Sequence, residues 1–528
     1  MITGKNYVGN KLKAEGQKTF KTFNPQLNKE NPWIFTEATQ EEIEEAVALA
    51  HQAFGTYKKC SGLEKAVFLN AIADEVLALG DDLLVQYCSE SGFLMGRAEG
   101  ERGRMVGQLR AFAQMLTEGS WVQAAIDTAI IERHPVPKED LRKMLVPLGP
   151  VVVFGSSNFP FAFSTAGGDT ASALAAGCPV IVKSHSMHVG TGEMVASAIL
   201  KAAEKTNMPN GVFSNLVGGG TTLGASLVKH PLVKAVGFTG SIRAGRALFD
   251  LAAQRPEPIP VFAEMGSVNP VVFLPKALEK NSQKWATAYA GSITLGAGQF
   301  CTNPGLLIGI KNAQLNKFSE ELKNAIEKME PFCMLHPSMK DSFEEGVATM
   351  ISQKGVSKIA EYKGEADPNF GVQKILTVGG KTFLENKTLS HEVFGPVSIL
   401  VQCEDEEQLL KIVNQLDGQL TGTIIGESEE LKEYTKLVVA MQNKVGRLIF
   451  NGVPTGVEVC PSMIHGGPYP ASSDSRFTAV GIHAVYRWVR PFSYQNWPND
   501  LLPAELKNEN PLQILRTLNN IQTKSQIK

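Results

Sequence analysis

Cys301 stands in the stretch TLGAGQFCTNPG, directly after a run of glycines and a Gln-Phe pair. Glycines remove side chains that would block backbone approach, so a thiol placed there is open to a ligand. A buried structural cysteine beside a turn accounts for the stretch equally well, since free cysteine is among the most buried residue types. Glu264, in FAEMGSVNP, ends an apolar run and is followed by Gly266. A carboxylate at the C-terminal edge of a sheet suits general-base work; the plainer reading is a solvated loop glutamate. Asn158, in VVFGSSNFPF, follows another apolar run, and its side-chain N–H can stabilise an oxyanion. Taken alone, that motif is better explained as an Asx turn before Pro160. GFTGSIRAG, Gly237 to Gly245, reads as a strand-to-helix junction whose exposed N–H groups can hold a pyrophosphate. It lacks the G-x-G-x-x-G spacing of the ordinary dinucleotide fingerprint, and a simple strand–helix turn suits it as well. His391 and the other histidines form no HExxH or similar ligand spacing. They are read as solvated or satisfied, and no metal is expected.

These groups need a scaffold, and the chain alternates strand and helix where they fall. GPVVVFG, PVIVKSH, GVFSNLVGG and KAVGFTGS are short apolar runs. Between and after them lie helical patterns in FSTAGGDTASALAAG, GTGEMVASAILKAAEKT, TTLGASLVKH and IRAGRALFDLAAQ. Such alternation implies right-handed βαβ units and a parallel sheet. A second α/β series runs from about Asn269 to Ala440, so the fold class is α/β with two such domains. Upstream, TQEEIEEAVALAHQAFGTY and the stretch from Gly62 to about Leu116 carry helical periodicity. SWVQAAIDTAIIERHPVPKEDLRKMLVPLGPVVVFG reads as extended segments around a Pro-containing loop. The aromatic tail from Val480 reads as extended, a strand for the early hairpin or for another subunit.

The bulk properties narrow the classes. A chain of 528 residues is too long for one ordinary core and suggests two or three domains. A net charge of −2 offers no basic field for nucleic acid or an anionic membrane. The cysteines, at 60, 88, 178, 301, 333, 403 and 460, form no CxxC pair. Reduced thiols and a cytoplasmic home are expected. The N-terminus is polar, without a signal-peptide core, and no uninterrupted apolar stretch of about 20 residues suggests a membrane span.

Taken together and in order, NFP, FTGS, EMGSVNP, GQFC and EVFGP make the chain resemble the NAD(P)-dependent aldehyde dehydrogenase superfamily over nearly its whole length. The resemblance implies a Rossmann-like cofactor domain (1–120 and 146–262), an α/β catalytic domain (263–460) and a small β oligomerisation arm (121–145 and 478–500). It implies a homodimer or homotetramer. Cys301 would be the nucleophile, Asn158 and the Cys301 N–H the oxyanion holders, and Glu264 the base that activates water. Lys183 would reach the adenosine ribose, Gly240 and Ser241 the pyrophosphate, Glu392 the nicotinamide ribose, and Phe394 would pack near that ring. NAD-preferring members often carry a glutamate three residues after the lysine. Here Ser186 stands there and can donate to a 2′-phosphate, with His185 and His188 adding positive character. NADP is therefore expected over NAD.

FAEMGSVNP, GERGRMVGQLRAFA and HGGPYPAS are most similar to 2,5-dioxovalerate (α-ketoglutaric semialdehyde) dehydrogenases and also resemble an NADP-dependent fatty aldehyde dehydrogenase. The first kind implies an aldehyde whose far end is a carboxylate. Arg104, laid on the family's matching helix, falls at the substrate funnel; Gln108, at i+4, shares its face, and Phe159 completes the expected substrate set. The plain alternative is that Arg104 is one more solvated arginine. CoA-acylating relatives usually lack a glutamate at the position of Glu264. A cysteine hydrolase would need a histidine near Cys301, and nothing in the sequence identifies one. A catalytically silent member would not be expected to keep Cys301, Glu264, Asn158 and Glu392 together.

Overall fold

The computed structural model describes residues 2–527. Its first sheet runs, in spatial order, Val261–Glu264, Ala235–Thr239, Val151–Phe154, Val180–Lys183, Phe213–Leu216, Asn6–Val8 and Lys11–Lys13. The first five strands are mutually parallel, and the N-terminal pair closes the edge antiparallel. Along Val151–Phe154 successive side chains enter different layers. Val151 and Val153 join a core with the helices Gly62–Ala78, Met95–Glu118 and Val189–Lys205, while Val152 and Phe154 pack with Gln40–Tyr57 and Ile242–Ala253. Helices on both faces are what a sheet of uninterrupted β-branched runs requires. Each fully buried Val, Leu, Ile or Phe contributes about 1.5–3 kcal/mol.

The second sheet repeats this logic over Ser357–Glu361, Lys374–Gly379, Val397–Cys403, Leu306–Ile310, Val271–Phe273, Gln419–Ile425 and Val445–Phe450. Only its first pair is antiparallel. Val272 and Ile308 face one core layer, Val271 and Leu307 the other. The helix Gln40–Tyr57 starts in a capping box: Thr39 Oγ1 accepts from Glu42 N, and the Glu42 carboxylate accepts from Thr39 N.

A five-stranded sheet, ordered Val489–Gln495, Leu141–Pro147, Ala125–Asp127, Arg516–Leu518 and Ile521–Thr523, stands apart from both. Two features depart from the reading of the tail. Ile482–Trp488 is a 3-10 helix rather than extended chain. It turns inward so that Trp488 Nε1 donates to Ser172 Oγ and Arg487 meets Asp169 in the core. The strand that follows pairs with Leu141–Pro147 of the early hairpin, one of the two pairings that the reading allowed; the second departure lies further on. The last two strands, past residue 500, join this sheet by pairing Arg516–Leu518 with Ala125–Asp127 and Ile521–Thr523 with Arg516–Leu518, and Arg516 Nη2 donates to Ser525 O. TTLGASLVKH begins as a π-turn over Gly220–Gly224 before the short helix Ala225–Lys229.

Candidate active site

The thiol loop follows the helix Pro275–Thr294. Gly296, Ala297 and Gly298 have φ of 54, 56 and 63°, three successive left-handed residues that turn the chain sharply. A Cβ on Gly298 would lie 2.4 Å from the backbone of Gly395, so glycine there lets the thiol loop meet the EVFGP segment. Asn269, from EMGSVNP, donates its amide to Cys301 O at 2.9 Å and Asn303 O at 2.8 Å. The half-buried Cys301 is thereby held from both sides.

One cleft of about 440 Å³ brings together Asn158, Gly240, Ser241, Glu264, Cys301, Glu392 and Phe394. The same cleft contains a group sequence reasoning missed. His465 Nε2 lies 3.1 Å from Cys301 Sγ, and His465 Nδ1 lies 3.2 Å from Glu264 Oε2. The histidine is buried, its backbone N–H donates to Thr478 Oγ1, and its ring packs on Phe163. It is therefore neither solvated nor idle. Its one sequence signal was its place at the head of HGGPYPAS. Burial opposes its cationic form, but the sulfur and the carboxylate on its two nitrogens outweigh burial and hold its pKa well above the ordinary imidazole value. Burial raises Glu264, against the pull of His465. The arrangement can pass a proton from thiol to imidazole and keep the imidazolium beside a carboxylate.

Asn158 is buried, and its Nδ2 donates one hydrogen to Gln299 O at 3.1 Å. An amide nitrogen carries two, so the second remains for an oxyanion. Ser241 caps the helix Ile242–Ala253 by accepting from Ala244 N, which leaves the N–H groups of Ile242 and Arg243 without a helical partner. Burial raises Glu392 to about 7, with the Ser267 N–H pulling the other way. Its carboxylate packs so closely on Gly266 that a Cβ there would lie 2.3 Å away.

Lys183 and Ser186 sit outside this cleft, at the end of the strand Val180–Lys183 and just beyond it. Lys183 is buried, which lowers it to about 8, and Ser186 is exposed. His185 and His188 stack at 5.4 Å, and burial lowers both, His188 to about 4. They are neutral at neutral pH and do not supply the positive character expected of them.

Arg104 lies 5.7 Å from the Phe159 ring and 5.4 Å from Phe163, near enough to Cys301 and Glu458 for their charges to act on it. Its Nε and Nη2 are buried with no hydrogen-bond partner among the described residues. Gln108, on the same face of the helix, is buried against Gly168 instead, its amide also without a partner. The half-buried Phe159 ring packs edge-on against Phe163 and Phe300. No group of three or more potential metal ligands occurs among the described residues.

A family model described as "Aldehyde dehydrogenase family" matches residues 12–469. Two curated relatives match almost end to end. Alpha-ketoglutaric semialdehyde dehydrogenase 2 of Azospirillum brasilense is 46% identical over 98% of each chain. Alpha-ketoglutaric semialdehyde dehydrogenase of Acinetobacter baylyi is 43% identical over 99% of each. Among solved structures, betaine aldehyde dehydrogenase of Staphylococcus aureus in complex with NAD+ shares the fold with a TM-score of 0.81 at 18% identity, over 94% of this chain and 97% of that one. A 1-pyrroline-5-carboxylate dehydrogenase from Thermus with bound NAD gives 0.78 at 20% identity, over 93% and 92%.

Proposed function

The chain belongs to the aldehyde dehydrogenase family, and from that premise we propose that it oxidises 2,5-dioxopentanoate to 2-oxoglutarate with NADP, Cys301 serving as covalent nucleophile. The semialdehyde named for the two relatives, nearly half identical along the full chain, supports this substrate. The observation that carries it is the free edge of Arg104. Nε and Nη2 form the side of a guanidinium that grips a carboxylate through two parallel bonds. Phe159 and Phe163 give the intervening chain an apolar wall. Gln108 faces Gly168 and is kept in the substrate set only as a neighbour on the Arg104 helix.

His465 Nε2 takes the Cys301 proton, and Sγ bonds to the aldehyde carbon while the carbonyl π pair moves to oxygen. The free N–H of Asn158 Nδ2 and the Cys301 backbone N–H hold that oxygen. The chemistry that a bound nicotinamide would supply is acceptance of hydride from this carbon, and Cys301 would then hold the acyl group as a thioester. Glu264 then takes a proton from water as the water oxygen bonds to the acyl carbon and the C–S bond breaks. The thiolate leaves beside the imidazolium of His465. For the cofactor, the capped helix after Ser241 and Gly240 suits a pyrophosphate, and Glu392 a ribose hydroxyl. Phe394 lines the cleft beside it, and Lys183 with Ser186 suits the adenosine end. The edge strand Val489–Gln495 and the arm sheet suit a homodimer or homotetramer. Seven free cysteines suit a reducing, cytoplasmic setting.

The test is reduced-cofactor formation by purified enzyme with a panel of aldehydes. We expect 2,5-dioxopentanoate with NADP to give the highest kcat/KM, Cys301→Ala to give none, and Glu264→Gln to give one burst followed by slow turnover. A higher kcat/KM for an uncharged aldehyde would favour the fatty-aldehyde reading instead. No turnover with any aldehyde would return the chain to the silent class.

A further inference from the structure

The helix Met95–Glu118 presents Arg97, Glu101, Arg104 and Gln108 at successive turns of one face. The role given to Arg104 leaves Arg97 and Glu101 unexplained, and both are spent on the segment that carries Asn158. Arg97 Nη2 donates to Asn158 O at 2.8 Å. Glu101 Oε1 accepts from Phe161 N at 2.8 Å and Ala162 N at 3.0 Å. The two charged side chains approach each other at 3.8 Å, and Tyr87 joins them, its hydroxyl donating to Glu101 Oε2 and accepting from Arg97 Nε. The Asn158–Ala162 segment is thus stapled at both ends to one helix.

Arg97 also reaches the other half of the site. Its guanidinium lies 3.8 Å from the Phe93 ring centroid, 4.6 Å from Phe300 and 5.1 Å from Phe159. Phe300 immediately precedes Cys301, and Phe159 immediately follows Asn158. A Cβ on Gly296 would lie 3.2 Å from Arg97 Nη1, so the left-handed turn of the thiol loop rests on the same guanidinium. Asn158 Nδ2 in turn donates to Gln299 O, in that loop. One planar cation therefore touches both backbones whose separation sets the distance from the oxyanion donor to the sulfur.

The geometry points to Arg97 as a positioning residue: it locks the Asn158 segment to the Cys301 loop, so that the Asn158 amide stands where the oxygen of the tetrahedral adduct forms. This role rests on the proposed reading of Asn158 as an oxyanion holder. Arg97 has no part in ionising the thiol, which falls to His465, and it lies outside the cofactor cleft. Lysine can replace its donated bond but lacks the planar face that stacks among three rings.

A double-mutant cycle tests this. Arg97→Met should lower kcat by about 10- to 100-fold, a fraction of the loss when an oxyanion donor is removed outright. KM for the aldehyde, the cofactor Kd and the rate of Cys301 alkylation by iodoacetamide should stay within about threefold, because groups outside the adduct are not moved. Arg97→Lys should recover part of the loss. In an Asn158→Ala background Arg97→Met should cost less than about threefold more, since residues acting as one unit are not additive. Should Arg97→Met fail to fold, Arg97→Lys run in both backgrounds gives the same cycle. Additive losses, undiminished kcat in Arg97→Met, or parallel loss of alkylation and cofactor binding would each overturn the role. Undiminished kcat in Asn158→Ala itself would overturn the oxyanion reading, and this role with it.

Discussion

At the scale of single residues, the proposed activation of the thiol rests on His465. A sulfur 3.1 Å from an imidazole that is itself backed by a carboxylate has a proton acceptor within reach. His465→Gln should remove that acceptor. Alkylation of Cys301 at pH 7 should slow by about tenfold or more, and the pH–rate curve should move, because the acceptor nitrogen is gone. An unmoved curve would show that the histidine does not share the proton. The role proposed for Arg104 lies at the other end of the substrate. Removing a charged hydrogen bond costs about 1.5–3 kcal/mol. Arg104→Ala should therefore raise KM for 2,5-dioxopentanoate by roughly ten- to a hundredfold and leave KM for hexanal nearly unchanged. Equal changes for both aldehydes would make Arg104 a structural residue.

At the scale of elements, the proposed preference for NADP rests on how the strand Val180–Lys183 ends. Lys183 stops the strand at the C-terminal edge of the sheet, and the exposed Ser186 follows in the connection to the helix Val189–Lys205. A serine can donate to a 2′-phosphate, whereas a glutamate would repel it. With His185 and His188 neutral, the proposed discrimination rests on Ser186 and Lys183. Ser186→Glu should lower kcat/KM with NADP by about tenfold or more, with NAD changed less. A ratio that does not move toward NAD would place the discrimination elsewhere. The element boundaries around this strand were readable beforehand, because buried parallel strands are short apolar runs set off by glycine and proline. The tail was not: its aromatic residues suit an extended strand, but Arg487 and Trp488 find their partners in Asp169 and Ser172, far earlier in the chain.

At the scale of the whole molecule, holding a half-buried carboxyl in the wall of the cleft has a cost that pH reveals. Glu392 has its pKa raised by burial from 4.5 to about 7. A folded state that binds the proton more tightly than the unfolded chain has this stabilisation in full below pH 4.5 and loses it as pH rises through 7. Without cofactor, the wild type should lose about 3 kcal/mol from this group between those limits. Glu392→Gln should abolish that part of the loss and be the more stable protein at pH 7.5, read as the urea midpoint. A wild type whose midpoint does not fall relative to the variant over this range would mean that the carboxyl is solvated.

The alternation of apolar runs with helical patterns determined the α/β class, since periodicity is a local property of the chain. The residues proposed as nucleophile, base, oxyanion holder and cofactor contacts each lie in a contiguous string, such as GQFC or EMGSVNP, and the order of those strings along the chain carried the family. What the tertiary structure alone decided was which side chains meet across distance. His465 reaches Cys301 over 164 positions and Glu264 over 201. Arg97 reaches Asn158 over 61. Arg516–Leu518 enters the five-stranded sheet beside Ala125–Asp127, from the other half of the sequence. Such contacts leave no spacing rule in the sequence, because the loops that make them are positioned by the packing of sheets and helices built elsewhere in the chain.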